Sequence, residues 1–443
     1  MRFSAHFHTG ALAFALALTA TSSKAHDGDL DPTFGAGGFS HTGLTDTQAQ
    51  AMAVRPDGRI VVCGSYADEE SLAEEFFVAQ YLPDGSLDST FGNHGITYVD
   101  ASSVEDTCTG LVIQPDGRIV AAGYSEMPQF PGGATDFPVV ARLEPNGAMD
   151  PAFGEDGLIT YVQTGDVTGV AVQADGKIVL AGSAKENGGV GTDYAVVRLL
   201  TNGSPDPDFG TNGRITIGFE GTGTYDFAAA VVIDREQRIV IAGSADRYLD
   251  GRLGVVRLLQ DGSFDGSFAN NGMAVIGDDS YLLHGAALKL AHDGKILVAG
   301  DRTASPRIDM MVARLLDDGS LDTSFGMQGV ATVASATTAW RSIAHGLDEQ
   351  SNGKIVIAGW AGDPDNNDFL AVARIDSDGS TDTAFGNAGF SAFALPESPG
   401  EYHSASAMAL SAGRILVAGT SGYMNYNDLI ARLQNDLIFA DAF

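Results

Sequence analysis

The sequence predicts an all-β chain folded as a seven-bladed β-propeller of four-stranded antiparallel blades, the ring closed by joining N- and C-terminal strands. Three observations predict it. One segment of about 59 residues recurs seven times. The composition, with 56 Gly, 44% apolar and only 19% charged residues, suits many short strands and tight turns. The two ends of the chain hold complementary fragments of a single repeat.

The period is measured on the leading isoleucines Ile60, Ile119, Ile178, Ile239, Ile296, Ile355 and Ile415, which are 59, 59, 61, 57, 59 and 60 residues apart. In each repeat, strand a runs into a turn that is Asp-Gly in four copies (Asp57-Gly58, Asp116-Gly117, Asp175-Gly176, Asp293-Gly294), a hairpin signal because both residues tolerate positive φ. Strand a carries a small residue at one place (Ala51, Gly110, Gly169, Ala230, Ala287, Gly346, Ala407). Innermost strands converging on an axis leave little room, so these residues are expected to line a central channel. Strand b, Ile-Val-x-Ala-Gly in most copies, has no period-two alternation and is expected to be buried on both faces, as in a blade packed between two neighbours. Strand c is Val140-Ala-Arg-Leu143 and its counterparts around Arg198, Arg257, Arg314, Arg374 and Arg432, with Gln80 in the first copy. A second Gly turn then leads through Asp-x-x-Phe-Gly into strand d, as in Gly95-Ile-Thr-Tyr-Val99.

The phase of the two ends predicts closure. The repeat region opens with Leu30-Asp-Pro-Thr-Phe-Gly35 and a strand d near Phe39, before any strand a, and it finishes with the strand c Leu429-Ile-Ala-Arg-Leu433. Each end supplies what the other lacks, whereas an open array would leave unpaired edges in need of polar caps. The expected division is a signal peptide over 1–25, a propeller over 26–435 and a tail over 436–443.

The combination of Pro-Asp-Gly-Lys/Arg-Ile-Val-x-Ala-Gly, Val-Ala-Arg-Leu and Gly-Ser-Leu-Asp-x-x-Phe-Gly resembles the delta-60 repeat family of bacterial exported proteins over residues 28–435. The resemblance implies a β-propeller and carries over no catalytic residue. The tail Asp436-Leu-Ile-Phe-Ala-Asp-Ala-Phe443 is similar to C-terminal tails of exported proteobacterial proteins but lacks a Gly before its last Phe.

Arg2, the apolar run Ala11–Ala20 and Ser23-Lys-Ala25 have the layout of a secretory signal peptide cleaved near Ala25, so a secreted, periplasmic or cell-surface location is expected. The run falls short of the ~20 apolar residues of a membrane span, and no integral membrane segment is expected. Net charge is −32, and loss of Arg2 and Lys24 on cleavage takes it to −34. That field repels phosphate backbones, which argues against nucleic acid as a partner. The only cysteines, Cys63 and Cys108, lie in adjacent repeats; export permits one bridge between blades, and two packed thiols are the alternative.

The recurring Asp31, Asp88, Asp150, Asp206, Asp265, Asp322 and Asp382 sit three residues before Phe34, Phe91, Phe153, Phe209, Phe268, Phe325 and Phe385. A residue shared by every blade is scaffold: the acid caps a turn and pairs with the strand-c Arg, and the Phe fills the space between blades. Asp363, Asp365 and Asp368 have the oxygen-rich spacing of a Ca²⁺ loop but lack its Gly and its closing Glu, so no metal is assigned and Ca²⁺ stays a candidate at these three acids. His284, His403 and Asp166 are read as sharing a position at the start of strand a, near one channel mouth. No nucleophile elbow, phosphate loop or dinucleotide fingerprint is present, and no catalytic residue is assigned. The b-to-c connections, which vary most, gather Tyr66, Tyr124, Phe130, Trp360, Tyr423 and Tyr426, with Met424, on one face. Aromatic side chains beside acids suit a protein, peptide or glycan partner; packing of each loop on its own blade is the alternative. The functional expectation is a non-enzymatic binding or interaction platform, with a hydrolase or lyase at the channel mouth as the second reading.

Overall fold

The computed structural model describes residues 26–44, 46–67, 74–101, 105–127, 135–160, 165–185, 191–219, 225–245, 251–277, 282–304, 306–334, 341–363, 367–394, 402–422 and 427–435. The expected signal peptide and C-terminal tail lie outside them. All regular structure among these residues is β, and none of them forms a helix long and apolar enough to cross a membrane. Each repeat is a four-stranded antiparallel unit in the order a-b-c-d. In unit 1 these are Thr47–Val54, Ile60–Ala67, Glu74–Tyr81 and Ile96–Val99. Units 2 to 6 begin with Glu105–Ile113, Gly169–Val172, Phe227–Ile233, Leu282–Leu290 and Arg341–Glu349. In unit 7 the first three strands are His403–Ser411, Arg414–Ser421 and Asn427–Leu433, and the fourth is Phe39–Ser40, which pairs with Ala431 and Ile430 from the opposite end of the chain.

Strand b is buried on both faces because its alternate side chains serve two neighbours. Ile178 and Leu180 of unit 3 pack with Val120, Val140 and Phe153 of unit 2, while Val179 and Ala181 pack with Ile239, Ile241 and Val256 of unit 4. Each apolar cluster combines two consecutive units, and the one that holds Phe34, Leu416, Ala418 and Ile430 of unit 7 also holds Val62, Phe77 and Ala79 of unit 1. The turns after strand a differ from expectation in one respect. Gly58 has positive φ but Asp57 does not; its carboxylate instead accepts a hydrogen bond from Arg59 N at 3.1 Å, and Gly58 N bonds back to Arg55 O.

The recurring polar residues join the units. In unit 2, Arg142 Nε donates to Asp150 Oδ2 at 2.7 Å, its NH1 reaches the carbonyl of Thr201 in unit 3, and its guanidinium lies 4.5 Å over the ring of Phe153. Asp150 Oδ1 caps its turn by accepting from Ala152 N at 2.9 Å. Burial alone would raise the Asp150 carboxyl. That hydrogen bond and the charges of Arg142 and Arg118 outweigh it and hold the group below the ordinary aspartate value. The same arrangement recurs with Arg198, Arg257, Arg314 and Arg432, the last reaching Pro83 O of unit 1. Unit 1 departs from it. Gln80 takes the arginine's place and donates to Asp88, and Arg55, from the end of strand a, donates to Gln80 Oε1 at 2.6 Å and to Pro145 O of unit 2. The guanidinium is thus supplied from another strand to the same junction.

Unit 7 has its own ties. Arg374 of unit 6 pairs with Asp27 and bonds Asn435 Oδ1, and Gly386 N donates to Asp27 O. On the other side, Asp428 occupies a strand-c position where the register places Phe76, Tyr194, Leu253, Met310 and Leu370 in other units. Its carboxylate is fully buried and accepts from Thr42 N and Oγ1, Thr47 Oγ1 and Tyr81 OH, the last at 3.0 Å. Burial pushes it above the ordinary aspartate value despite these donors. A disulfide joins Cys63 in strand b of unit 1 to Cys108 in strand a of unit 2.

Candidate functional site

Strand a carries a β-bulge in units 1, 2, 4, 5, 6 and 7, where the register against strand b slips between Ala49 and Ala51, Cys108 and Gly110, Ala228 and Ala230, Gly285 and Ala287, Ala344 and Gly346, and Ala405 and Ala407. The Gly that ends Ile-Val-x-Ala-Gly makes the bulge fit. A Cβ at Gly64, Gly123 or Gly300 would collide with the backbone carbonyl of Gln48, Thr107 or His284. The extra residue is Gln50, Thr109, Ala229, Ala286, His345 or Ser406, and Thr168 stands just before the shorter strand a of unit 3. These are side chains that the repeat does not share.

Six of them, Gln50, Thr109, Thr168, Ala286, His345 and Ser406, line one cavity of about 510 Å³ between the first strands of the units. Gln48, Tyr402, Ser404 and Thr420 complete its wall. Part of this collar is spent on holding units together. Thr109 Oγ1 donates to Val167 O, Thr168 Oγ1 to Ala228 O at 2.8 Å, and His345 Nδ1 to Ala405 O at 3.0 Å, in each case a carbonyl of the next unit. A carbonyl only accepts, so His345 Nδ1 carries the proton and the neutral ring keeps a lone pair on Nε2. Burial lowers the His345 pKa below that of a free imidazole, against the opposing influence of the Ala405 carbonyl and the Asp301 charge, which favours the neutral ring near pH 7.

The small residues expected to line the channel do something else. A Cβ on Gly110 would touch Val170, and one on Gly346 would press on Met408, each in the next unit. They permit close approach of neighbouring units, and the residue one place earlier faces the cavity. The shared position of the three residues near the mouth also needs correction. His284 pairs across the sheet with Asp301, its Nδ1 3.0 Å from Oδ2, as Gln48 pairs with Ser65 and Ser404 with Thr420. Asp166 matches His284, but His403 pairs with Ser421, one residue nearer the strand start, because the turn at Ala412-Gly413 is a residue shorter.

Of the expected aromatic face, Tyr66 packs against Tyr98 with ring centroids 5.1 Å apart and the planes tilted by 55°, and donates to Glu75 at 2.6 Å, and Trp360 lies under the guanidinium of Arg341 at 5.0 Å. Tyr124 and Trp360 directly follow the bulge-fitting glycines Gly123 and Gly359 in strand b, and both are half-buried. Phe130, Tyr423, Met424 and Tyr426 lie outside the described residues. Asp363 accepts from Asn367 N and Nδ2, both at 2.9 Å, and Asp368 Oδ1 is 3.9 Å from Arg341. Asp365 is outside the described residues, and among those that are described no group of three or more His, Cys, Asp or Glu side chains is placed to hold a metal ion. A second cavity, of about 550 Å³, opens at the a-to-b turns of units 4 and 5, but its Arg238, Arg257 and Lys295 are each paired with aspartates of the scaffold.

A protein-family model described as "Domain of unknown function (DUF5122) beta-propeller" matches residues 55–91, 114–153, 173–209, 238–268, 292–325 and 350–385. Five of the segments begin just after strand a and the one at 238 begins just before strand b, and each ends on the Phe of Asp-x-x-Phe. The unit without a match is the one whose strands come from both ends of the chain. No functionally curated protein matches the sequence. Among solved structures, polysaccharide lyase Uly1 is similar with a TM-score of 0.53 at 10% identity, over 94% of each chain. A catalytically inactive virginiamycin B lyase from Staphylococcus aureus, solved with quinupristin, has a TM-score of 0.48 at 11% identity, over 88% of this chain and 97% of the other. Sqt1 from Chaetomium thermophilum has a TM-score of 0.43 at 12% identity, over 90% and 97%. At 10% identity the likeness to Uly1 speaks for the fold alone and not for a ligand.

Proposed function

We propose that the chain is an exported, closed ring of seven blades that acts by binding an extracellular protein, peptide or glycan, with the cavity between the first strands as the mouth of its central channel. Closure is supported by ties that return to their start. Gly92 N bonds Asn146 O from unit 1 to unit 2, Gly154 N bonds Asn202 O from 2 to 3, and Arg198 reaches Gln260 from 3 to 4. Ala269 N, Gly326 N, Gly386 N and Gly35 N continue the series to Asp318, Asp378, Asp27 and, back in unit 1, Asp84. The resemblance to the delta-60 repeat and the matched propeller family are read as two descriptions of this one blade.

One observation carries the binding role. The side chains that differ between blades are brought together at the mouth, while those that recur are consumed in the scaffold. The collar is made mostly of neutral hydrogen-bonding groups, which recognise a ligand without transforming it. Trp360 in blade 6, Tyr66 in blade 1 and Tyr124 in blade 2 stand on the same side of the ring. Immobilised protein comprising residues 26–443, offered an extracellular proteome and a glycan array, is expected to capture a partner that the Trp360→Ala, Tyr423→Ala variant loses. Capture that is indifferent to both substitutions rejects the aromatic face. A hydrolase or lyase is the second reading, and His345 favours it, since a neutral imidazole with a fixed Nδ1–H offers Nε2 as a base. Turnover of a captured glycan by the wild type but not by His345→Ala would decide for it.

A further inference from the structure

The collar is not uniform around the ring. In blades 2 and 3 the hydroxyls of Thr109 and Thr168 are engaged by backbone carbonyls of the following blade, and in blades 4 and 5 the same position holds only the methyl groups of Ala229 and Ala286. Blades 6, 7 and 1 contribute His345 Nε2, the hydroxyls of Tyr402, Ser404 and Ser406, and the amide of Gln50, whose one side-chain contact among the described residues is a 3.5 Å approach to Gln48. One arc of the mouth therefore presents donors and acceptors with no other side-chain or backbone partner among the described residues, and beside it Ala286 of blade 5 presents a methyl group to the cavity. The cavity volume is typical of small-molecule sites, roughly 300–1,000 Å³. Among the described residues, none of the side chains that wall it is an acid, a lysine or an arginine. Around this lining lies a protein of net charge −32, which disfavours an anion.

We propose that the channel mouth is a subsite for one neutral sugar residue, its hydroxyl edge held by Gln50, Ser404, Ser406, Tyr402 and His345 and its apolar face turned to Ala286. The assignment rests on the binding role proposed above and names the ligand class. A sugar ring has the required two-sidedness, with C–H groups on its faces and hydroxyls on its rim. Each hydroxyl both donates and accepts, which matches a wall of Gln amide, hydroxyls and an imidazole lone pair. Half-buried Trp360 in blade 6 and Tyr66 in blade 1 flank the same arc, where a longer glycan would continue.

The test is calorimetric titration of the protein comprising residues 26–443 with glucose, galactose, N-acetylglucosamine, cellobiose and maltose, together with glucuronate and galacturonate. At least one neutral probe is expected to bind saturably. That binding should weaken tenfold or more in Gln50→Ala and in Ala286→Leu, the second of which fills the cavity without removing a polar group, with melting temperatures close to the wild type. Tighter binding of the disaccharides than of the monosaccharides would mark a glycan end as the source, and equal binding would mark a free sugar; either supports the subsite. Absence of saturable binding for every neutral probe overturns it, as does uronate binding equal to that of the neutral sugar, or affinity unchanged in both variants. If the subsite fails while the two variants still capture a macromolecular partner, the platform role stands without it.

Discussion

Substitution of Asp150 by Ala tests the scaffold role of the recurring acid with a magnitude that follows from its surroundings. The carboxylate is 2% exposed and meets Arg142, whose side chain is 6% exposed, at 2.7 Å; Arg118 approaches at 3.3 Å, and the second oxygen caps the turn at Ala152. Removing it leaves the Arg142 guanidinium buried, with the Thr201 carbonyl and the face of Phe153 as its remaining contacts. Breaking a buried pair in this way costs about 3–5 kcal/mol. Arg118 already faces solvent and loses little, so the lower end, about 3 kcal/mol, is expected. Unfolding entropy near 2 cal/mol/K per residue over residues 26–435 is roughly 0.9 kcal/mol/K, so the melting temperature should fall by about 3–4 °C. The assay is differential scanning calorimetry with a double-mutant cycle. Arg142→Leu combined with Asp150→Ala should lose clearly less than the sum of the two single changes, because the orphaned charge leaves with its partner. An unchanged melting temperature for Asp150→Ala, or strict additivity in the cycle, refutes the reasoning.

Three other outcomes are expected. Arg55→Gln should destabilise the junction of units 1 and 2, Gln80→Arg should crowd a second guanidinium against Arg55, and the double exchange, which restores the pattern of the other units, should recover most of the loss in chemical denaturation. Replacing Cys63 and Cys108 by Ala opens a cross-link spanning 45 residues, for which chain entropy gives about 4 kcal/mol, seen as a lower denaturation midpoint that reductant also produces in the wild type. The Asp322 carboxyl is lowered to about 2, first by the Ser324 hydroxyl, then by Ser324 N, Arg314 and Lys295, against the opposing effect of burial. A depressed acid contributes stability that is complete above its unfolded pKa of 3.8 and is lost as pH falls through the folded value. Asp322→Asn should therefore flatten the decline in melting temperature between pH 4 and pH 2.

The blade was legible in the sequence because its determinants are local and recur. Asp150, Arg142 and Phe153 lie within twelve residues of one another and reappear in other units, so their structural role follows from recurrence alone. The cavity between the first strands was harder to read because its residues are those at which recurrence fails. A comparison of repeats rests on Ala51, Gly110 and Gly346 and passes over Gln50, Thr109 and His345 beside them. A signal was nevertheless present: a variable residue before the small one in strand a, with a Gly in strand b that only a bulge explains. The apparent match of His284 with His403 failed because a single shortened turn shifts the phase of unit 7. Asp428 and Tyr81, which replace apolar or aromatic residues of other units at the junction of units 7 and 1, are 347 positions apart. Nothing in a local pattern links them.

Closure of the ring through the chain ends is the premise on which the channel mouth rests, and amide hydrogen exchange tests it at two groups. Asp31 N donates to Arg432 O and Arg432 N to Gly38 O, hydrogen bonds that exist only when the N-terminal segment lies against strand c of unit 7. Both amides should be protected to the same degree as Asp150 N and Arg142 N, their counterparts within unit 2. Exchange of Asp31 and Arg432 at the rate of an unstructured peptide, with Asp150 and Arg142 still protected, would contradict the closed ring.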